Sequence, residues 1–416
     1  MAMVKEIRDL PLSPFRALDL TDEKGYFCGK ILADLGADVI KVEPPEGDPG
    51  RNMGPFYHDI PDKEKSLYFF AYNTNKRSIT LNIETKDGQE IFKRLAKTTD
   101  FVIESFASEY MDKIGLGYSI LKEMNPRIIM VSITPFGQTG PRKDWKASDI
   151  VAIAMGGLSH ITGNPDRPPA RVCVDQAYVI AGAQAAMGAM IAHYYREATG
   201  EGQHVDTSTQ ESVVLSALTV PQAWDLERFV WPRAGAFLPR SGKRVRHLWP
   251  CKDGYIAWRL FGGGLGVKTR ALVEWMDSEG QADELTKVNW EKMDYLTVGV
   301  EEFDHWQSLF GKFFKTHTKA ELCKEALAKG IVLFPASTPK DLVEDPQLEA
   351  RDYWKEVEYP ELKGTVVYPG ALYKSTEISW QTRRAPLIGE HNDEIYEKEL
   401  GLSRMSLAIF KHTGVI

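Results

Sequence analysis

The residue types that could carry chemistry narrow quickly. The nine histidines are scattered, with no H-x-x-x-H or H-E-x-x-H spacing, so no metal site is expected. No G-x-S-x-G elbow marks a serine nucleophile. The four cysteines, Cys28, Cys173, Cys251 and Cys323, form no C-x-x-C pair. Cys173 is expected to be a small buried residue rather than a nucleophile. Two carboxylates stand out. Asp149 lies in K-A-S-D-I-V and is expected to cap the helix that follows it. Asp175 lies in A-R-V-C-V-D-Q-A-Y-V-I, at the hinge between a Pro/Gly/Asn-rich loop and a long Ala-rich run without proline. That setting offers two readings: a simple N-cap, or an anion held at a helix tip and available for covalent chemistry.

The elements around Asp175 follow from periodicity and breakers. About two dozen residues after Asp175 read as one helix, and its small residues Ala181, Gly182, Ala185, Gly188 and Ala189 predict close burial. Upstream, Arg16–Leu20 and Ala37–Glu43 read as strands flanking a helix started by Thr21 or Asp22 and ended by Gly36. Further strands are expected at Ser78–Ile83, Phe101–Glu104 and Arg127–Ile133, with a helix over Lys86–Lys97 and another ending near Asn125. The alternation predicts an α/β fold, an open Rossmann-like sheet wound on both faces, whose ligands bind beyond the carboxyl ends of the strands. The first turn, T-D-E-K-G-Y-F-C-G, lacks G-x-G-x-x-G, so a dinucleotide cofactor is disfavoured there.

The expected organisation is a large domain over 1–225, a smaller α+β domain over 226–337, a linker over 338–380 and a segment over 381–416 that returns to the large domain. Phe229–His247 reads as a loop carrying Arg233, Arg240, Lys243, Arg244 and Arg246. Gly262, Gly263 and Gly264 form a flexible or anion-cradling loop without Walker spacing.

With 416 residues, 43% hydrophobic and 26% charged, the chain has the composition of a globular protein. A net charge of −7 argues against nucleic acid as a partner. The run Gln176–Tyr195 is only weakly hydrophobic, so no membrane span is expected. The start carries no apolar signal region, and the cysteine usage suggests a reducing compartment, so a cytoplasmic location is expected.

Several motifs taken in order resemble the class III coenzyme A transferases, the formyl-CoA transferase and carnitine CoA-transferase family. They are R-A-L-D-L-T at 16–21, L-G-A-D-V-I-K-V-E-P-P at 35–45, N-T-N-K-R-S-I at 73–79 and G-L-G-Y at 115–118. N-P-R-I-I at 125–129, G-Q-T-G-P at 137–141 and R-R-A-P-L-I-G-E-H at 383–391 complete the series. The resemblance implies that Asp175 is the nucleophile. It would take an acyl group from a CoA thioester as an anhydride, become an aspartyl-CoA thioester, and pass CoA to a carboxylic acid acceptor. Coenzyme A is then a substrate and no cofactor is implied. The implied CoA contacts are Lys24, Gly25, Leu81, Asn82, Ser105, Phe106, Lys113, Thr134 and Phe136. Lys76, Arg77 and Arg51 are set against phosphate or ordinary solvated roles. Gly262–Gly264 is a candidate substrate loop, and an interlocked homodimer is implied.

Related acyl-CoA racemases use a His in G-H-D-I. This chain has A-S-D-I at 147–150, and Ser148 makes a poor general base, which favours transfer over racemization. A non-catalytic partner subunit of a heteromeric transferase is the other rival. The Arg240–Arg246 cluster suggests a dicarboxylate such as succinate, as in the benzylsuccinate branch of the family.

Overall fold

The computed structural model describes residues 10–371, 373–378 and 380–416. Two compact units divide the chain. The first comprises the residues up to Leu158, then Val172–Phe229 and Gln347–Ile416; the second comprises Ser159–Arg171 and Val230–Pro346.

The first unit is built on a six-stranded parallel sheet of β1 (Arg16–Asp19), β2 (Asp38–Glu43), β3 (Arg77–Thr80), β4 (Phe101–Glu104), β5 (Ile129–Thr134) and β6 (His204–Ser208). The strand order is β3-β2-β1-β4-β5-β6, the doubly wound arrangement expected. The order reverses between β1 and β4, which places a crevice at their carboxyl ends. The central strands are apolar on both faces: β4 is buried throughout, as is β5. On one face Ala181, Ala185 and Ala189 of the helix Gln176–Thr199 pack with Cys28 and Leu32 of the helix Tyr26–Asp34. Gly182 makes this approach possible, because a Cβ there would stand 2.8 Å from Phe27 Cβ and 3.1 Å from the Cys28 nitrogen. The other side of the long helix is not covered: Met187, Ile191, Tyr194 and Tyr195 are exposed.

The expected strand over Phe101–Glu104 agrees residue for residue, and the others start or stop within a few residues of their expected ends. The first helix departs more. It starts at Tyr26 with Gly25 as its N-cap, because Asp22 is engaged by Ser105 and Lys24 instead. The stretch expected as a linker is also different. It contains the hairpin Trp354–Tyr359 and Gly364–Pro369, which packs Val357, Tyr359 and Tyr368 against Tyr26, Phe69 and Phe70. Residues 347–380 therefore belong to the first unit. In the C-terminal segment, Ile395, Tyr396, Val415 and Ile416 join the core beside β2 and β3, and the Asn82 N–H donates to the Val415 carbonyl at 2.7 Å.

The second unit starts at Val230 and runs to Pro346, and also takes 159–171, which the sequence placed in the large domain. Hydrogen bonds tie that piece in: the Gly235 N–H donates to the Gly163 carbonyl at 2.9 Å. The basic stretch expected as a loop is a hairpin, Phe237–Arg240 paired with Lys243–Arg246. Its core is dense in aromatics, with Trp249, Trp258, Trp290, Phe310 and Phe314 in one cluster.

Candidate active site

Asp175 is the residue before the helix Gln176–Thr199, yet its carboxylate makes no capping bond. Asp149 does that work. Its Oδ1 accepts from the Ala177 N–H at 2.7 Å, satisfying a donor of the first turn from outside the helix. Asp149 was expected to cap its own helix, but there it is the first helical residue and Ser148 precedes it as N-cap. With the helix tip served by a buried neighbour, the half-buried Asp175 is left facing a small recess.

That recess is lined by Glu23, Phe27, Tyr68, Tyr72, Asp175, Tyr178 and Val179. Tyr68 donates its hydroxyl to Asp175 Oδ2 at 3.0 Å. It sits on the helix Leu67–Asn73, whose start is fixed by Ser66 accepting from the Phe69 N–H at 3.0 Å. Burial and the adjacent Asp175 carboxylate both push the Tyr68 phenol well above its ordinary range, so it remains a donor at every working pH. Burial and then the neighbouring Asp22 charge raise the Glu23 carboxyl. Nothing in the sequence separated Tyr68 from the other aromatics of L-Y-F-F-A-Y-N; only the tertiary fold shows which ring faces Asp175.

Next to this recess lies a cleft of about 330 Å³ at the carboxyl ends of the first four strands. Asp22 lines the cleft and Glu23 lines the recess, so one turn after β1 borders both. Leu81, Asn82, Ser105 and Phe106, four of the expected CoA contacts, line this cleft together. Pro44, Pro45 and Tyr110 also line it, the last with its ring centroid 4.7 Å from that of Phe106. Gly25 lies at the start of the helix behind it, where a Cβ would collide with Thr21 at 2.5 Å. Lys24 is paired with Asp22.

Three expected contacts lie elsewhere. Lys113 is exposed and pairs with Glu109 at 3.8 Å. Thr134 is buried at the end of β5, its hydroxyl without a partner among the described residues. Phe136 is buried edge-on to Trp145. Gly262–Gly264 lies in the second unit, before the helix Gly266–Ser278.

The cations set against phosphate or solvent serve neither role. Arg51 is fully buried on Glu43, and Lys76 is fully buried on Asp19 at 2.7 Å. Arg77 bonds Asp38, Glu394 and Glu399. Burial would raise Asp19, but Lys76 and Lys41 beside it hold its carboxyl below the usual range. Among the described residues no Lys or Arg lines the cleft; its charged lining residues are Asp22, Glu46, Asp48 and Glu84. Cys173, expected to be buried, is exposed and free. Among the described residues, no group of His, Cys, Asp and Glu is arranged to hold a metal ion. None of their helices is long and apolar enough to cross a membrane.

Glu104, at the end of β4, is buried. It accepts from the Phe106 N–H at 2.8 Å. Burial pushes its carboxyl from the usual 4.5 up to about 7; bonds from Ser132 and Phe106 oppose this, while Asp22 and Asp206 add to it. The folded chain therefore holds this proton where the unfolded chain has lost it. The stability it contributes is full below about pH 4.5 and is lost as pH rises to about 7. At about 1.4 kcal/mol per pH unit this is about 3 kcal/mol. Glu104→Gln is expected to gain on the wild type by about that much between pH 5 and pH 8 in urea unfolding. A difference that does not move with pH would remove Glu104 as the source.

The chain matches the family model described as "CoA-transferase family III" over residues 12–392. The chain belongs to CoA-transferase family III. The transferase is 36% identical to succinyl-CoA:(R)-benzylsuccinate CoA-transferase subunit BbsE of Thauera aromatica, over 92% of this chain and 93% of that one. It is 32% identical to succinyl-CoA–D-citramalate CoA-transferase of Chloroflexus aurantiacus, over 98% of each. Among solved structures it is similar to a CAIB/BAIF family protein from Brucella suis, with a TM-score of 0.81 and 28% identity, covering 94% of this chain and 99% of that one. It is thus a CoA-transferase, acting on a CoA thioester and a carboxylic acid.

Proposed function

We propose that this CoA-transferase moves CoA from succinyl-CoA to a dicarboxylic or aromatic acid, with Asp175 as the nucleophile. The observation that carries this is the uncapped Asp175 carboxylate at a helix tip, held by Tyr68 in a recess that shares the turn after β1 with the cleft. An Asp175 oxygen attacks the thioester carbonyl; the C–S bond breaks, giving a mixed anhydride and CoA thiolate. The thiolate attacks the aspartyl carbonyl and releases the donor acid, leaving an aspartyl-CoA thioester. The acceptor carboxylate attacks that carbonyl and expels CoA thiolate, forming a second anhydride. CoA attacks its acyl carbon and Asp175 is regenerated. Both relatives named above carry succinyl-CoA in their names, which supports that donor.

In this scheme Leu81, Asn82, Ser105 and Phe106 seat the CoA thioester, with Lys24 and Gly25 at the cleft's edge. Lys113, Thr134 and Phe136 complete the contacts only from outside its lining. The exposed Met187, Ile191, Tyr194 and Tyr195 suit a protein-covered surface, supporting an interlocked homodimer. A free, exposed Cys173 suits the cytoplasm. A heteromer is the second reading, favoured by the word "subunit" in the Thauera protein's name. CoA exchange by the purified single chain separates the two. Racemization has less support: Ser148 is exposed and offers no second acid/base group.

The test is to incubate the protein with a panel of acyl-CoA thioesters, trap with hydroxylamine and map the modified peptide by mass spectrometry. Label at Asp175 supports the scheme and reveals the donor; label elsewhere, or none with an active preparation, rejects it. Tyr68 supplies a hydrogen bond where the tetrahedral intermediates develop oxyanion charge. Tyr68→Phe is expected to lower kcat by about 10- to 100-fold with an unchanged unfolding midpoint. An unchanged kcat would confine Tyr68 to packing.

A further inference from the structure

The second unit carries a basic cleft that the reading of Asp175 does not use. β-strand alternation divides the arginine-rich hairpin. In Lys243–Arg246, Lys243 and Val245 point inward and are buried, and Lys243 Nζ donates to the Tyr295 carbonyl at 2.6 Å. Arg244 and Arg246 point the other way. Opposite them runs the helix Val300–Thr316, whose residues Asp304, Ser308, Lys312 and Lys315 fall on one face at helical spacing. Together these line a cleft of about 570 Å³. That is large enough for a nucleotide-sized molecule.

Its charge is unbalanced. Arg244, Arg246, Lys312 and Lys315 face one carboxylate, Asp304, which already accepts from Gln307 at 3.1 Å. None of the four cations has an ion-pair partner among the described residues. In a chain of net charge −7, the excess is local. The guanidiniums are also held in place. Arg244 and Arg246 lie 4.3 and 5.3 Å from the Phe237 ring centroid, and Arg246 also lies 5.3 Å from that of Trp249. The hairpin is locked to the helix by Gln307, which accepts from the Arg246 N–H at 2.7 Å and donates to the Arg244 carbonyl at 3.0 Å. Two arginine forks fixed on one side and two lysines on the other match two linked phosphates better than one small anion.

We propose that this cleft binds a pyrophosphate-bearing small molecule. The pyrophosphate belongs either to a free nucleotide or to coenzyme A itself. Titration calorimetry with inorganic pyrophosphate and with ADP tests it. Binding is expected below millimolar concentration, weakening as salt rises. The double variant Arg244→Ser/Lys312→Ser is expected to bind both probes at least 10-fold more weakly, while Lys324→Ser, on the separate helix Lys319–Ala328, leaves them unchanged. Both altered residues are exposed, so circular dichroism and the unfolding midpoint should match the wild type. Absence of binding at millimolar pyrophosphate, or equal weakening by Lys324→Ser, overturns the proposal. CoA affinity of the double variant identifies the source. A fall parallel to that for ADP assigns the pyrophosphate to CoA; an unchanged value assigns it to a separate nucleotide. Neither result depends on Asp175, whose labelling is read separately.

Discussion

Asp175→Asn is expected to lose CoA exchange by about ten-thousand-fold or more in kcat while keeping its fold. The substitution retains size and the ability to accept from Tyr68, so it removes little besides the nucleophilic oxygen. An amide does not attack a thioester, and without the anhydride the exchange has no covalent route. The structural argument for an intact fold is specific. The Asp175 carboxylate caps nothing, and Asp149 holds the helix tip through the Ala177 N–H. The thermal midpoint should therefore stay close to that of the wild type, and hydroxylamine should no longer label the peptide. The contrast variant is Asp149→Ala. It deletes an acceptor for a buried N–H, at about 1–3 kcal/mol in stability, yet leaves the nucleophile in place. A two-variant comparison thus separates chemistry from support. If Asp175→Asn retained wild-type exchange, the nucleophile would have to be sought elsewhere.

How much of this was legible in the chain depends on whether the signal was local. The strand Phe101–Glu104 and the long helix after Asp175 follow from short-range pattern and agree closely with the structure. The division of labour between Asp149 and Asp175 does not. Both are acids beside a helix start, and either satisfies the capping rule; only the packing of two helices 28 residues apart decides which carboxylate meets the free N–H. The hairpin over 354–369 was missed because its buried residues are spaced among Lys and Glu, a pattern that reads as a linker until Tyr26 and Phe70 are brought to it. Lys76 and Arg51 were misjudged for a related reason. Charged residues are seldom fully buried, and the sequence does not show that Asp19 and Glu43 are buried with them. The same gap hid the acidic lining of the strand-end cleft.

Arg51→Ala is expected to destabilise the first unit by about 3–5 kcal/mol. Arg51 is fully buried and forked on Glu43, with Nε to Oε2 at 2.6 Å and Nη2 to Oε1 at 2.8 Å. Nη1 donates to Glu64 and Nη2 donates also to the Pro386 carbonyl, both at 2.9 Å, and the guanidinium lies 3.8 Å from the Phe69 ring centroid. One side chain therefore joins the end of β2, the loop after it and the C-terminal segment. Removing it takes the guanidinium off Glu43, which has no exposed surface and keeps the Asp48 N–H and the Ser78 hydroxyl as donors. The loss arises mainly from the buried carboxylate left without its cation rather than from the missing contacts, and this can be separated by experiment. Urea unfolding of Arg51→Met, which retains volume, should still show most of the loss at pH 7.5. Arg51→Met/Glu43→Gln should recover a large part of it at pH 7.5, since the buried charge is gone with its partner. Pro44, Pro45 and Asp48, between the two residues in sequence, line the strand-end cleft. KM for the CoA thioester should then rise in Arg51→Met and fall back in the double variant. No recovery in the double variant would show that packing on Phe69, not charge pairing, makes Arg51 necessary.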